Sequence, residues 1–227
     1  MYLAQLDPHT MLNGQGALHA VTGGMAGKKT FHFNSFFDLV EYSGVKYQIL
    51  KPHIDVREDV QGDFGKDFHV SRSGMGKPAT CVKSDGSLEH FVNAANPCVQ
   101  VYGVAELHLF TYADKLARYL VHKKDEGNIV VVEGLDRDFA GRKFPAMAHI
   151  MSNATTVDKH YGRCEKDLDG GKCGMRGEFS QRIVNGHPAN YDDPIIMVGA
   201  SEAYEVRCGN HHEVPGKPGL GQILESL

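Results

Sequence analysis

The chain has 227 residues, 41% of them hydrophobic and 23% charged, with a formal net charge of −4, values that exclude a disordered or fibrous protein. The acidic balance and the lack of a Lys/Arg block argue against nucleic acid as a partner, and the longest apolar run, near residues 128–132, is far short of the roughly 20 residues that cross a bilayer. Residues 1–16 lack the basic and apolar regions of a secretory leader, and an odd, scattered set of five cysteines fits a reducing compartment, so a cytoplasmic protein without a membrane partner is expected.

In chain order, the apolar run at 17–21 predicts a buried strand that enters a glycine-rich turn, Thr22-Gly23-Gly24-Met25-Ala26-Gly27-Lys28-Lys29. A helix is expected over 31–41 and a second strand over 46–50, stopped by Pro52. Residues 61–86 are rich in Gly, Ser, Lys and Asp and read as a loop region with one short strand at 68–70. A short helix is expected at 88–95, a buried strand at 98–104, an amphipathic helix at 112–123 and a β-branched strand at 128–132. Strands alternating with helices predict an α/β fold with a parallel sheet. Beyond about residue 160 the chain turns to short polar segments, with strands expected at 195–198 and 203–207. The expected division is an extension (1–16), a nucleotide-binding domain (17–158), a small metal-clamped domain (159–214) and a tail (215–227).

Three features carry chemistry. A glycine-rich turn between a strand and a helix leaves backbone N–H groups to face a phosphate, and Lys28 would add a point charge. The turn is an incomplete G-x-x-x-x-G-K-[ST] motif, because Thr22 stands at the first glycine and Lys29 at the hydroxyl position. Next, Glu106 follows the strand at 98–104, and ligands of open α/β sheets bind beyond the carboxyl ends of strands, so this carboxylate is a candidate proton acceptor for phosphoryl transfer; a solvated strand end is the plain alternative. Third, Cys164, Cys173, Cys208 and His211 form C-x8-C and C-x2-H pairs that offer three thiolates and an imidazole to a tetrahedral Zn²⁺. His212 is an alternative ligand, and free buried cysteines beside a solvated histidine pair the alternative to a site.

In this order the pieces resemble the zinc-containing thymidine kinase family, over about residues 18–211: the loop GGMAGK, then LKPHIDVR at 50–57, GVAELHLF at 103–110, EGLDRDFAGRKF at 133–144 and MVGASEAYEVRCGNH at 197–211. The resemblance implies a RecA-like P-loop domain followed by a zinc-binding lasso module, in a bacterial or phage-like branch. It implies that Thr22 to Lys29 wrap the ATP phosphates, that Glu106 accepts the proton, and that Asp55, Arg57, Ala105 and His108 line the ATP site. Thymidine would be held by Met25, Leu135, Phe139, Phe144, Ile195, Ile196, Met197, Val198, Gly199 and Tyr204, with core packing as the alternative for Phe139. The implied activity is transfer of the ATP γ-phosphoryl to the 5′-hydroxyl of thymidine, with ATP, Mg²⁺ and structural Zn²⁺ as cofactors and a homo-oligomer, commonly a tetramer, as the assembly. Two departures bear on magnesium: Lys29 replaces a family Ser or Thr, and Ala105 a family Asp. A cationic Lys29 could neutralise phosphate directly and Asp55 take part of the metal's surroundings. A kinase-derived scaffold that binds nucleotide without turnover is therefore the competing reading.

Overall fold

The computed structural model describes residues 15–55, 65–195, 203–219 and 221. They divide into two compact units: the first holds the chain up to Gly23, Gly27–Asp136 and Lys143–His160, and the second holds Gly24–Ala26, Arg137–Arg142 and the chain from Tyr161 on.

The first unit is built on six parallel strands in the order β5-β2-β6-β7-β1-β8: β1 (Ala17–Gly23), β2 (Tyr47–Pro52), β5 (Thr80–Val82), β6 (Val101–Val104), β7 (Ile129–Glu133) and β8 (Thr156–His160). A short antiparallel pair, β3 (Phe68–Val70) with β4 (Gly76–Pro78), lies in the connection before β5. The central strands are buried along most of their length because both faces are covered, and β7 reads as a continuous β-branched run, IVVV. Alternate side chains of β7 go to opposite layers: Ile129 and Val131 pack with Phe33, Phe36, Phe37 and Val40 of α1 (Lys29–Tyr42). Val130 and Val132 pack with Leu116 and Leu120 of α3 (Ala113–Asp125) and with Met147 and Ile150 of α4 (Pro145–Asn153). Phe91 of α2 (Leu88–Ala94) joins that second layer.

The helix at 31–41 starts two residues earlier and the strand at 46–50 runs on to Pro52, which supplies the last rung with Val82. The strand expected from residue 98 begins at Val101, because the Asn96 side chain accepts the Cys98 N–H at 2.9 Å and folds that stretch into a turn. The loop region at 61–86 does hold the strand at 68–70, and also β4 and β5.

The second unit is a set of short antiparallel pairs: β9 (Gly162–Arg163) with β12 (Arg176–Gly177), the hairpin β10 (Asp167–Leu168) with β11 (Gly171–Lys172), and a sheet in which β13 (Phe179–Val184) lies between β14 (His187–Pro188) and β15 (Ala203–Arg207). Its apolar centre is small: Phe139, Ala140 and Ala189, with Val184, Tyr191, Tyr204 and Val214 packed around them. The strand expected at 203–207 is present. The strand expected at 195–198 is not found at Ile195, which lies outside any strand and is 45% exposed, while residues 196–198 fall outside the described residues.

Candidate active site and metal centre

The glycine-rich turn follows β1 and ends at Lys28, which precedes α1 in a left-handed conformation (φ 62°, ψ 24°) with no side-chain cap and no acidic residue in the first turn of the helix. Uncapped N–H groups and an unneutralised helix dipole favour an anion. Lys28 is exposed and Lys29 is buried. Two glycines are needed for close approach within the first unit. A Cβ on Gly23 (φ 117°) would lie 1.9 Å from the His160 carbonyl oxygen, and one on Gly27 would lie 3.0 Å from the His160 carbonyl carbon. Thr22 is fully buried and donates to the Gly134 carbonyl at 3.0 Å, tying the end of β1 to the end of β7. The middle of the turn counts with the second unit, where the Met25 N–H donates to Ser180 Oγ at 3.2 Å.

At the carboxyl end of β6, Ala105 is buried and Glu106 turns into the left-handed region (φ 47°, ψ 48°) before a short 3-10 turn, Leu107–Leu109. Such a conformation costs a non-glycine residue roughly 1–3 kcal/mol, and strained positions cluster at functional sites. Four described non-glycine residues have positive φ, and Ala26, Lys28 and Glu106 are three of them, all in the segments singled out from sequence. Glu106 Oε2 lies 3.6 Å from His108 Nδ1, that nitrogen accepts the Leu135 N–H at 3.3 Å, and the His108 ring lies 5.0 Å from the Phe144 ring. Glu106, His108, Leu135 and Phe144 are thus brought together within the first unit.

The first unit also holds a buried polar chain that joins Asp55 to residues not singled out as site residues from sequence. Thr30 Oγ1 donates to Glu133 Oε1 at 2.7 Å, Glu133 Oε2 is 2.7 Å from His69 Nε2, and His69 Nδ1 is 3.8 Å from Asp55 Oδ2. Asp55, expected near the phosphates, is therefore buried against a histidine, with Lys51 Nζ on its own carbonyl at 3.3 Å. Arg57 falls outside the described residues. His160, next to Gly23 and Gly27, stacks on His32 at 4.2 Å; burial first, then the His32 ring, hold its pKa down at about 4.

In the second unit Phe139 is a core residue, 2% exposed, with the Arg182 guanidinium 5.3 Å from its ring. Tyr204 packs beside it and Ile195 is exposed. Ile196, Met197, Val198 and Gly199 are outside the described residues. The ligand atoms of Cys164, Cys173, Cys208 and His211 all lie within 4.8 Å of one another. His211 Nδ1 is 3.5 Å from Cys164 Sγ and 3.4 Å from Cys208 Sγ. The wide C-x8-C spacing is the β10–β11 hairpin, which leaves and returns between the two cysteines. Burial alone would push the Cys164 thiol up, but the backbone N–H groups of Cys208 and Lys166 and the neighbouring His211 and Cys173 side chains bring it down to about 6. A convergent set of three sulfurs and one imidazole matches Zn²⁺ in chemistry and number. His212 is engaged elsewhere, donating from Nε2 to the Phe139 carbonyl at 2.8 Å and stacking on Phe179 at 4.3 Å.

Residues 16–212 match the thymidine kinase family. The chain belongs to that family. Named thymidine kinases align with it over most of their length: that of Ureaplasma parvum serovar 3 is 29% identical over 216 residues, covering 93% of this chain and 89% of the relative. That of Mycoplasma capricolum is 33% identical over 198 residues, covering 86% and 88%. That of Coprothermobacter proteolyticus is 33% identical over 208 residues, covering 91% and 96%. No helix among the described residues is long and apolar enough to cross a membrane.

Proposed function

We propose that this protein is an ATP-dependent thymidine kinase that moves the ATP γ-phosphoryl to the 5′-hydroxyl of thymidine, giving dTMP. One observation carries the reading: Glu106, strained at the carboxyl end of β6 and beside His108, which in turn meets the Leu135 N–H and Phe144, in a chain that matches the thymidine kinase family over residues 16–212. Phosphoryl transfer asks chiefly for positioning and charge neutralisation, with a carboxylate to accept the proton of the attacking hydroxyl.

In this reading Glu106 takes that proton, and the exposed Lys28 with the uncapped N–H groups of α1 holds the phosphates, Lys29 adding charge. Mg²⁺, when bound, would neutralise the triphosphate. The family resemblance supports Leu135, Phe144, Tyr204, Met25 and the segment 195–199 as thymidine-binding residues, and Phe139 as part of the second unit's core. The Cys164, Cys173, Cys208 and His211 cluster would hold one Zn²⁺ that staples a unit whose apolar centre is small. The family resemblance supports a cytoplasmic homo-oligomer, and the domain division 17–158 and 159–214 belongs to the same proposal. No finding favours a scaffold without turnover.

The test is product formation. Protein incubated with ATP, Mg²⁺ and each deoxynucleoside in turn should yield 5′-monophosphate from thymidine, and Glu106→Gln should lower that rate by about 10²–10⁴. A folded, zinc-loaded protein that phosphorylates no nucleoside would overturn the reading.

A further inference from the structure

The two positions that would hold magnesium in a P-loop kinase are changed here. Lys29 offers no hydroxyl after the loop lysine, and Ala105 no carboxylate at the end of β6. The same two chemical groups recur one step away. Thr30 follows Lys29, and its hydroxyl donates to a carboxylate, Glu133, at 2.7 Å. The sheet register shows where that carboxylate sits. Val104 is paired with Val132, so the residues that follow them, Ala105 and Glu133, stand level on neighbouring strands. Glu133 is also paired with Val21 of β1, the strand that feeds the phosphate loop.

Glu133 is fully buried at the end of an otherwise apolar strand, IVVVE. Burying a carboxylate is costly unless partners compensate it, and a strand packed on both faces has no structural need for one there. The partners are present: His69, itself fully buried, sits 2.7 Å from Oε2, and its carbonyl accepts the Asn34 amide at 3.0 Å, which fixes it to α1. The arrangement keeps a hydroxyl and a carboxylate oxygen together at the root of α1. Oxygen donors of this kind suit Mg²⁺, which takes one or two protein ligands and keeps its remaining positions for phosphate and water.

We propose that Thr30 and Glu133 are the magnesium-holding pair of this chain, replacing the groups absent at Lys29 and Ala105, with His69 as a positioning residue that orients Glu133. The assignment rests on the kinase reading for the presence of a metal–nucleotide complex, and its test does not depend on turnover.

Mn²⁺ substitutes as a spectroscopic probe. Its affinity for the complex of the full, zinc-loaded chain with a non-hydrolysable ATP analogue is read by electron paramagnetic resonance and water proton relaxation. Glu133→Gln keeps shape and should weaken Mn²⁺ in that complex by about tenfold or more, while binding of the nucleotide analogue with no Mn²⁺ or Mg²⁺ added stays as in the wild type. Ala105→Asp added to Glu133→Gln should recover part of the loss. Should Glu133→Gln fail to fold, Thr30→Val against Thr30→Ser gives the same contrast, the serine retaining Mn²⁺ and the valine losing it. Wild-type Mn²⁺ affinity in a folded Glu133→Gln, or in Thr30→Val, overturns the assignment and leaves a structural ion pair. Loss of Mn²⁺ in a protein that makes no dTMP would sink the kinase reading and keep the metal pair; unchanged Mn²⁺ binding with dTMP formed would do the reverse.

Discussion

Replacing Glu106 in two ways should separate its chemistry from its backbone. Gln keeps the size and the strained backbone and removes only the proton acceptor, so kcat should fall by about 10²–10⁴, or roughly 3–5 kcal/mol in the barrier, with thermal stability unchanged. Gly removes the carboxylate as well and also removes the strain. A left-handed non-glycine residue costs roughly 1–2 kcal/mol, and glycine's extra unfolded-state freedom returns about 0.5–1 kcal/mol of that. At φ 47°, ψ 48° the net gain should therefore be up to about 1 kcal/mol, a rise in Tm of roughly 2–4 °C for a chain of 227 residues. The assays are steady-state kinetics with thymidine and thermal unfolding at one fixed metal load. If Glu106→Gln keeps more than about a tenth of wild-type kcat, another group takes the proton. If Glu106→Gly is destabilised by more than about 1 kcal/mol, the side chain's contacts outweigh the backbone strain and the reasoning from φ is refuted.

Chelating the metal, or changing Cys208 to Ser, should unfold the second unit and lower Tm, with metal analysis giving one zinc per chain before treatment; an unchanged melt after complete metal removal would count against a structural site. Gly103→Ala should cost about 1–3 kcal/mol in denaturant unfolding, because the new Cβ would stand 2.6 Å from Phe37 Cζ and 2.9 Å from Phe33 Cζ. His19 is buried in β1, and desolvation holds its pKa at about 4 against 6.5 unfolded. The unfolded chain therefore binds this proton first, so stability present above pH 6.5 is lost as pH falls to about 4, by roughly 3 kcal/mol at the acid limit. His19→Gln, which can keep the 2.7 Å contact to Thr156, should flatten that slope; an equal slope in both proteins would show that His19 does not carry it.

The central strands and α1 were legible because burial on two faces or one writes a strong pattern into sequence. VVV in β7 and Phe33, Phe36, Phe37 and Val40 in α1 need no tertiary information to be read. Edge and short elements were not. Strand β8, TVDKH, carries no apolar alternation and exists because β1 offers it hydrogen-bonding partners 137 residues away, as between His19 and Thr156. Strand β5 has three residues, and α4 is a short helix that begins at Pro145, directly after the motif at 133–144. At the site, local motifs pointed to the phosphate turn, Glu106 and the metal cluster. The Thr30–Glu133 contact spans 103 residues and the His69–Glu133 contact 64, so only the sheet register reveals them. A buried glutamate closing an apolar strand was the one sequence signal that could have drawn attention to Glu133.

The hairpin between Cys164 and Cys173 has a consequence for how much change the chain can absorb. Its tip, Leu168 to Gly171, is exposed, and a Cβ on either Gly170 or Gly171 would meet nothing within 4 Å. Because the metal cluster gathers both roots of the hairpin, the tip's length is uncoupled from the packing below, and lengthening an exposed loop carries only a slowly growing entropic penalty. That turn is accordingly where a peptide epitope or a fluorophore-bearing insert should leave the six-stranded sheet and the β13–β15 sheet undisturbed.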